Sequence, residues 1–371
     1  MKIAIDARVL EKGITGIGRY LGNILEGLGA IDDENEYILF SYKKIDRANK
    51  KFKYITTGKA FLPEKIFSVF WLNFILPKYI KQNKIDLFFT PNQLLPLKNI
   101  RVKTVITVHD VAHKKNSIYH SFIYRMYLEL FLSRSLNISD KIITVSNSAG
   151  KDICDAYKVN PEKIKVIYEQ ADKKFAGISV SEKDRLSLQN KYNLSKKFIL
   201  YVGVIENRKN ITGILKTADI IQQKYKEISF VLIGRKGYGS EKIILEINKR
   251  RHFINYISTI DDDDLIKIYN MAYVFLFPSY YEGFGLPPLE AMQAGVPVLA
   301  SNRSSLPEVV GKGGIMKDPD DAAGFAGEII KLFDDGNYYK RWKAEALKQA
   351  KRFSSVDSTR ELVGIFNDLL K

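Results

Sequence analysis

The strongest constraint on the fold is an alternation of short, β-branched runs with longer amphipathic stretches, which occurs in two series along the chain. Such alternation is typical of βαβ units, in which helices connect parallel strands. Strands are predicted at residues 2–6, 37–42, 87–90, 103–108, 141–145, 198–202, 229–233, 253–257, 273–277 and 297–300. We therefore expect an α/β protein with two doubly wound, Rossmann-like domains that face each other across a cleft.

Helices are predicted over residues 20–31, 63–82 and 119–136. The last two have apolar faces that would also suit a membrane anchor, but each leads directly into a strand, which favours helices that cover a sheet.

A polar, helix-breaking stretch over 172–196 is the expected linker. The expected domains are thus 1–175 on the N-terminal side and 176–354 on the C-terminal side. An amphipathic helix over 355–371 is expected to pack back toward the first domain.

Composition places the chain among globular proteins of the reducing cytoplasm. Its 371 residues are 46% hydrophobic, which suits two domains of ordinary size. The single cysteine, Cys154, cannot form an internal disulfide, and Asp6 interrupts the start of the chain before a signal-peptide core could form. The longest apolar stretch, 67–77, falls well short of the ~20 residues that span a bilayer.

The charge balance indicates an anionic partner. Lys and Arg number 58 against 42 Asp and Glu, a formal charge of +16. A nucleotide, a nucleic acid or a phospholipid surface would suit this excess. No aromatic and basic RNA signature or recognition helix is found, so nucleic-acid binding is kept only as the rival from another functional class. Peripheral contact with the anionic inner face of the cytoplasmic membrane is a hypothesis.

The most specific motif lies between residues 281 and 292. Gly283 and Gly285 allow backbone amides to approach a ligand, and Pro287 and Pro288 suit the first turn of a helix whose N–H groups could bind an anion. Glu282 is placed on the loop and Glu290 on the helix. The two carboxylates could then hold hydroxyls at both ends of a phosphate-bearing ligand. The residues expected to bind this ligand around them are Gly283, Phe284, Gly285 and Leu286.

Two further segments follow predicted strands. Arg208 and Lys209 come after strand 198–202, where two cations could clamp a diphosphate, although a solvated basic turn is the plainer interpretation of such a pair. The loop with Gly16, Gly18 and Arg19 lies between the first strand and helix, where doubly wound folds bind phosphate. It lacks the last glycine of a dinucleotide fingerprint, so NAD is not expected.

His109 and Asp110 end the strand 103–108 and are expected to face the same cleft. Such a pair also occurs in metal-dependent phosphohydrolases, but His113, His120 and His252 do not have convincing ligand spacing. A structural histidine that caps a strand is the second interpretation.

The four consecutive aspartates 261–264 contain D-x-D spacing, which binds a metal ion in some enzymes. Apolar residues follow them at helical spacing, so we place the aspartates at a helix N-terminus, where the dipole and capping favour them. No metal and no cofactor is therefore expected, and Arg208 and Lys209 would take the electrostatic role of a metal.

Taken together, these motifs resemble those of the retaining, two-domain nucleotide-sugar glycosyltransferases called family 4 or group 1. The resemblance rests on E-x7-E at 282–290 and on motifs at 16–20, 109–110, 144–146, 201–210 and 304–309. It implies a GT-B fold with Glu282 facing the donor sugar and Glu290 holding the ribose. It also implies that the loop at 16–19 closes over the donor phosphates and that His109 contacts the sugar or the incoming hydroxyl. Some members have an arginine where this chain has Val204, so Arg208 would supply that charge.

The amino-acid sequences of the motifs at 16–20 and 206–210 look most like those of bacterial mannosyl- and rhamnosyltransferases of surface polysaccharide assembly. This implies GDP-mannose or a related deoxyhexose donor, and a glycan or lipid-linked oligosaccharide acceptor. The resemblance implies that the departing diphosphate helps to deprotonate the acceptor. The sequence does not identify a covalent nucleophile. A nucleotide-sugar 2-epimerase, which shares the architecture, is the rival among enzymes.

Overall fold

The computed structural model describes residues 1–12, 16–45, 50–58, 63–115, 122–170, 172–353 and 355–371. The chain divides into two compact units. The first unit contains residues 1–111, 122–170 and the C-terminal helix, and the second contains residues 172–353 with the short segment 112–115.

In the described residues, the first unit is built on a parallel sheet of seven strands in the order β3-β2-β1-β4-β5-β6-β7. The strands are β1 (Lys2–Asp6), β2 (Glu36–Ser41), β3 (Lys53–Thr56), β4 (Leu87–Thr90), β5 (Lys103–Val108), β6 (Lys141–Thr144) and β7 (Ile164–Val166). The helices of this part of the chain are α1 (Gly16–Ile31), α2 (Glu64–Phe70), α3 (Leu76–Gln82), α4 (Ala112–Lys115), α5 (Phe122–Ile138) and α6 (Asn147–Tyr157). A π-helical turn, Trp71–Ile75, joins α2 to α3.

The second unit has the same design. Its described residues form a parallel sheet in the order β10-β9-β8-β11-β12-β13. The strands are β8 (Phe198–Val202), β9 (Ser229–Ile233), β10 (Ile254–Ile257), β11 (Val274–Phe277), β12 (Val298–Ser301) and β13 (Gly314–Lys317). The helices are α7 (Glu182–Tyr192), α8 (Ile211–Lys224), α9 (Glu241–Lys249), α10 (Asp262–Met271), α11 (Leu286–Gln293), α12 (Leu306–Val310), α13 (Ala322–Asp334), α14 (Gly336–Ala350) and α15 (Ser355–Leu370). The last of these, α15, is part of the first unit.

The helices cover the sheets with their apolar faces. In the first unit, Phe67 and Trp71 of the helical segment 64–82 and Leu132 of α5 share one buried core with Phe88 of β4 and Ile106 of β5. The expected doubly wound α/β architecture is therefore confirmed. No helix in the described part of the chain is both long enough and apolar enough to span a membrane.

A buried ion pair fixes the end of β1. Arg8 donates from Nε and Nη2 to the carboxylate of Asp6, over 2.9 and 2.7 Å, and neither residue is exposed. Its Nη1 donates to the carbonyl and hydroxyl oxygens of Ser68, and its guanidinium stacks 4.4 Å from the centre of the Trp71 ring. A charge that leaves water requires such partners. The pair thus joins the carboxyl end of β1 to the helical segment 64–82.

The C-terminal helix α15 packs on α1 within the first unit. Gly27 of α1 faces the buried side chain of Thr359, and Phe366 contacts Phe89 of β4 with ring centres 5.6 Å apart. Ser358 donates to the carbonyl oxygen of Tyr168 over 3.0 Å. The absence of a side chain at position 27 is what allows the two helices to approach this closely.

Several expectations from the sequence were wrong in detail. The stretch 172–196 is not helix-breaking throughout, because Ser181 caps the eleven-residue helix α7 through Asp184 N. Helix α1 begins at Gly16 and not at residue 20, so Gly16, Gly18 and Arg19 lie in its first turn. Three short strands, β3, β7 and β13, were not predicted. Each lies at the edge of its sheet, where fewer buried side chains leave a weaker pattern.

The packing of α15 on α1 predicts opposite effects for two glycines of α1. A Cβ at Gly27 would overlap Thr359 Oγ1, whereas a Cβ at Gly22 meets nothing within 4 Å. Gly27→Ala should lower the free energy of unfolding by about 1–3 kcal/mol through overpacking. Gly22→Ala should raise it by about 0.5–1 kcal/mol through helix propensity. Urea unfolding followed by circular dichroism measures both, and equal effects would contradict the packing described.

Candidate active site

The point where the strand order of the second sheet reverses positions the main candidate site. β8 and β11 are neighbours, but the chain continues from β8 to β9 on one side and from β11 to β12 on the other. The connections that leave the carboxyl ends of β8 and β11 therefore diverge, and ligands of doubly wound sheets bind in the crevice between them. Arg208 and Lys209 follow β8, and Glu282 follows β11.

Lys209 and Glu282 form a buried ion pair. The Nζ atom of Lys209 lies 2.6 Å from both carboxylate oxygens of Glu282, and the two residues are 8% and 7% exposed. The ammonium also lies 5.4 Å from the centre of the Phe277 ring at the end of β11. Burial and the charge of Arg208 lower the pKa of Lys209, while Glu282 acts in the opposite direction.

Arg208 extends this cluster. Its Nη2 lies 2.8 Å from Glu206 Oε1, and its Nη1 donates to the carbonyl oxygen of Tyr281 over 2.8 Å and lies 3.4 Å from Glu282 Oε2. The sequence analysis did not predict Glu206 as a site residue, although it lies only two positions before Arg208. The cluster of Glu206, Arg208, Lys209 and Glu282 thus contains two carboxylates and two cations, and its formal charge is zero.

Hydrogen bonds hold the two connections together. The backbone N–H of Tyr280 donates to the carbonyl oxygen of Arg208 over 2.9 Å. Asn210, in the left-handed conformation, caps α8 and donates from Nδ2 to the carbonyl oxygens of Pro278 and Pro319 over 3.2 and 2.7 Å. Since Asn210 is buried, these bonds fix the spacing between Lys209 and Glu282.

A third connection, after β12, supports the glycine-rich loop. Ser304 Oγ accepts the N–H of Glu282 over 2.8 Å. The hydroxyl of Ser305 lies 3.0 and 2.6 Å from the carbonyl oxygens of Glu282 and Phe284. The serines of the 304–309 motif therefore position the backbone that carries Glu282.

The loop enters α11 at Gly285, whose φ of +124° favours glycine over any residue with a side chain. A Cβ there would also lie 2.9 Å from Leu306. The first turn of α11 offers fewer donors than the sequence analysis assumed, because Pro287 and Pro288 have no N–H and Leu289 N donates to the Gly285 carbonyl. The remaining candidate anion-binding donors of this turn are the N–H groups of Gly285 and Leu286.

Glu290 lies on α11, and its side chain is buried. It is 1% exposed, and its Oε2 accepts a hydrogen bond from the hydroxyl of Tyr269 on α10 over 2.8 Å. The Tyr269 ring is itself packed against Phe175 and Phe275. Tyr269 was missed because nothing in the sequence connects it with Glu290. The structure thus brings Arg208, Lys209 and Glu282 together, whereas Glu290 is held separately by Tyr269.

In the first unit, His109 uses both of its ring nitrogens. Nδ1 lies 2.8 Å from Glu169 Oε1, and Nε2 lies 3.1 Å from the carbonyl oxygen of Pro91. A carbonyl only accepts, so Nε2 carries a proton, and His109 and Glu169 share a proton on the other side of the ring. Burial lowers the pKa of His109, but the hydrogen bond and charge of Glu169 raise it, and the net shift is upward. Both nitrogens are engaged, so this geometry favours a positioning role over general base catalysis.

Glu169 is a third residue that the sequence did not reveal, after Glu206 and Tyr269. It is separated from His109 by 60 positions, and no pattern connects them. The edge of the Tyr20 ring also contacts His109, with ring centres 4.8 Å apart, and the Tyr20 hydroxyl lies 3.0 Å from Thr107 Oγ1. Asp110 follows in the chain and is half-buried.

The remaining predicted residues lie at the start of α1. Gly16 is exposed, Gly18 is buried and Arg19 is half-buried in its first turn. The preceding glycine of the predicted loop, Gly13, lies outside the described residues.

The four aspartates take the structural positions expected for a helix start. Asp261 is the N-cap residue of α10, and Asp264 accepts hydrogen bonds from Lys191 and Tyr192, both over 2.7 Å. In the described parts of the chain, no group of three or more His, Cys, Asp or Glu residues could hold a metal ion.

Two sequence families match the chain along most of its length. The family described as Glycosyltransferase Family 4 matches residues 14–173. The family described as Glycosyl transferases group 1 matches residues 182–349. Among relatives, the O-antigen chain mannosyltransferase B of Escherichia coli is 30% identical over 382 aligned positions, which cover 99% of each protein.

Solved structures share the fold. A sucrose-phosphate synthase from Thermosynechococcus elongatus is similar with a TM-score of 0.76 and 18% identity, over 100% of this chain and 99% of that one. Anabaena Alr3699/HepE in complex with UDP and glucose is similar with a TM-score of 0.71 and 18% identity, over 99% of both chains. Two parallel-sheet α/β domains of this kind constitute the GT-B fold.

The His109 and Glu169 pair predicts a pH-dependent stability difference. The pKa of His109 is raised in the folded state, so its protonation stabilises the fold below its unfolded pKa, which is about 6.5. That contribution is lost as the pH rises through the folded pKa. Glu169→Gln should therefore destabilise the protein more at about pH 6 than at about pH 8.5. Urea unfolding at both pH values tests this, and an equal loss at the two would show that Glu169 does not favour the imidazolium.

Proposed function

The chain belongs to the group 1 and family 4 glycosyltransferases, and from that premise we propose which sugar it transfers and how. The donor is a nucleoside diphosphate hexose, with GDP-mannose or a related deoxyhexose favoured. The acceptor is a hydroxyl of a glycan or a lipid-linked oligosaccharide in bacterial surface polysaccharide synthesis. The anomeric configuration is retained, and no metal is required.

The single observation that carries this proposal is the buried contact between Lys209 and Glu282 at the reversal point of the second sheet. A cation and a carboxylate on neighbouring connections match a ligand that has phosphates next to sugar hydroxyls. Phosphate oxygens pair with Lys209 and Arg208, and hydroxyl groups donate to Glu282. A substrate that has phosphate groups next to hydroxyl groups in this way is a sugar joined to a diphosphate.

The choice of donor sugar follows the relatives. The Escherichia coli relative that aligns with 99% of this chain is named a mannosyltransferase of O-antigen. The Anabaena structure of the same fold contains UDP, a nucleoside diphosphate. The first supports mannose as the sugar, and the second supports a nucleoside diphosphate as the group that carries it.

In the proposed mechanism, the protein mainly stabilises charge. As the bond between the sugar and the diphosphate breaks, negative charge grows on the leaving phosphate, and Arg208, Lys209 and the N–H groups at the start of α11 stabilise it. Glu282 orients the sugar and stabilises the oxocarbenium-like state. The departing diphosphate accepts the proton of the acceptor hydroxyl on the same face. In this proposal, Arg208 and Lys209 take the electrostatic role that a metal ion would otherwise have at the phosphates.

Glu290 holds the ribose hydroxyls, with Tyr269 fixing its carboxylate. A carboxylate that is already oriented loses less conformational entropy when a ligand binds. His109 and Asp110 act from the first unit on the donor sugar or the incoming hydroxyl, and Glu169 keeps the His109 ring in place. Gly16, Gly18 and Arg19 contact the donor phosphates.

Substitutions should separate donor binding from turnover. Lys209→Ala and Glu290→Ala each remove contacts to donor charge or hydroxyls, so the Kd for GDP-mannose should rise about 10- to 100-fold. Glu282→Ala should lower kcat about 100-fold with a smaller change in Kd, because its contact strengthens in the transition state. Isothermal titration calorimetry measures binding, and transfer of radiolabelled sugar measures turnover.

The matched control is Lys216→Ala, which removes an exposed cation on α8 and should leave binding and rate unchanged. Thermal unfolding identifies any variant that fails to fold, and Glu282→Gln then replaces Glu282→Ala. Wild-type affinity and rate in the Lys209, Glu282 and Glu290 variants would refute the site assignment.

Retention and metal independence have direct tests. An α-linked donor should give an α-linked product, which the anomeric signals in NMR spectra of the product distinguish. The rate should be the same with and without EDTA, since cationic side chains serve the phosphates. An inverted product or a chelator-sensitive rate would overturn the corresponding part of the proposal. An epimer formed without acceptor would identify a 2-epimerase instead.

A further inference from the structure

The first unit exposes a run of large apolar side chains on the helical segment 64–82. Ile66, Phe70 and Phe74 follow one another at intervals of four, which places them on one side of the helical segment. Ile66 and Phe74 are 58% and 59% exposed, and the rings of Phe70 and Phe74 stack with centres 5.0 Å apart. Single exposed apolar residues are ordinary, but a continuous row on a helix requires an explanation.

A second row lies on α5. Met126, Leu130, Arg134 and Ile138 also recur at intervals of four, and Met126 and Leu130 are 59% and 70% exposed. The opposite side of α5 is in the core through Leu128, Leu132 and Leu136. Helix α5 is thus apolar on its exposed face as well as on its buried face.

Hydrogen bonds join the two rows into one surface through the connection between β4 and β5. Leu97, which is itself exposed, donates its N–H to Asn73 Oδ1 in the π-helical turn over 2.7 Å. Arg134 of α5 donates to the carbonyl oxygens of Pro96, over 2.9 Å, and of Leu97. The π-helical turn and α5 therefore both contact the same connection, residues 91–102, at Pro96 and Leu97.

Cations border this surface. The sequence from 97 to 103 contains Lys98, Arg101 and Lys103 and no acidic residue. In the described residues, neither Lys98 nor Arg101 has an ion-pair partner. Both line an open pocket of about 620 Å³, together with Arg134 and the carboxylates of Asp86 and Asp140. Over residues 63–138 the chain has eleven Lys or Arg and four Asp or Glu, a larger excess than the 58 against 42 of the complete sequence.

We propose that this surface binds an anionic lipid bilayer. We call it the docking surface and define it by the exposed side chains of Ile66, Phe74, Leu97, Met126, Leu130 and Ile138. Its apolar side chains would enter the boundary between headgroups and acyl chains, and Lys98 and Arg101 would pair with lipid phosphates. A second copy of the chain is the less suitable occupant, because a symmetric contact would bring the same cations of both copies together.

The connectivity gives the docking surface a functional orientation. Both α5 and the segment 64–82 begin after strands and run back toward the amino ends of the next ones. Ile66 and Met126 therefore lie toward the carboxyl edge of the first sheet, where His109 ends β5. Only this orientation rests on the proposed function, because it assumes that the bilayer presents a lipid-linked acceptor near the carboxyl edge.

Flotation of the full chain with vesicles tests the proposal. Vesicles of phosphatidylethanolamine with phosphatidylglycerol should bind the protein at low salt, and vesicles of phosphatidylcholine should not. Leu130→Glu should weaken binding at least about tenfold, because it removes apolar burial and adds repulsion. Lys98→Glu with Arg101→Glu should weaken it by more than about tenfold and reduce its salt dependence.

Matched variants on the second unit serve as controls. Leu245→Glu changes a residue that is 61% exposed on α9, and Lys216→Glu changes an exposed cation on α8. Both should bind vesicles like the unaltered protein. The proposal is overturned if the unaltered protein does not float, if Leu130→Glu binds equally well, or if the controls lose as much. Light scattering that shows a dimer dissociated by Leu130→Glu, with vesicle binding unchanged, would assign the surface to a second copy.

The vesicle measurement is independent of sugar transfer. The vesicles contain no acceptor and no donor is added, so a failed flotation leaves the proposed reaction untouched. Conversely, Leu130→Glu should retain the Kd for GDP-mannose, because it lies outside the donor site. Loss of donor affinity in that variant would indicate a disturbed fold and not a lost membrane contact.

Discussion

The buried ion pair between Lys209 and Glu282 is the interaction on which the candidate site depends. Neither charge could leave water alone, because desolvation of an unpaired ion costs on the order of several kcal/mol. The pair exists because β8 and β11 are neighbours whose connections diverge. Asn210 and Ser304 then fix those connections, so the position of each charge follows from the sheet and not from a flexible loop.

The sequence predicted the parts of the fold that have strong periodicity. All ten predicted strands are present, and nine of them are central strands, which are buried on both faces and are therefore continuously apolar; the tenth, β10, is an edge strand. The edge strands β3, β7 and β13 and the polar helix α7 lack that pattern. Only Leu188 of α7 is buried, so the helix has almost no apolar face to recognise.

The candidate site was predictable only where the topology decides it. Arg208 and Glu282 follow strands, and parallel strands bring their carboxyl ends to one edge, so their proximity could be inferred from the sequence. The contacts of Glu169 with His109 and of Tyr269 with Glu290 depend on packing between distant segments, which no local pattern reports. The roles of these residues in sugar transfer stay predictions.

The zero net charge of the cluster around Glu282 affects how ligands come and go. An inorganic anion gains little there, because each cation already has a carboxylate and would have to give it up. A sugar diphosphate offers an exchange, since its phosphates replace the carboxylates on the cations while its hydroxyls satisfy Glu282. In the proposed reaction, Glu282 would lose its hydroxyl partners once the sugar has left and would compete again for Lys209. This competition would help to release the cleaved nucleotide and would restore the ion pair before the next donor binds.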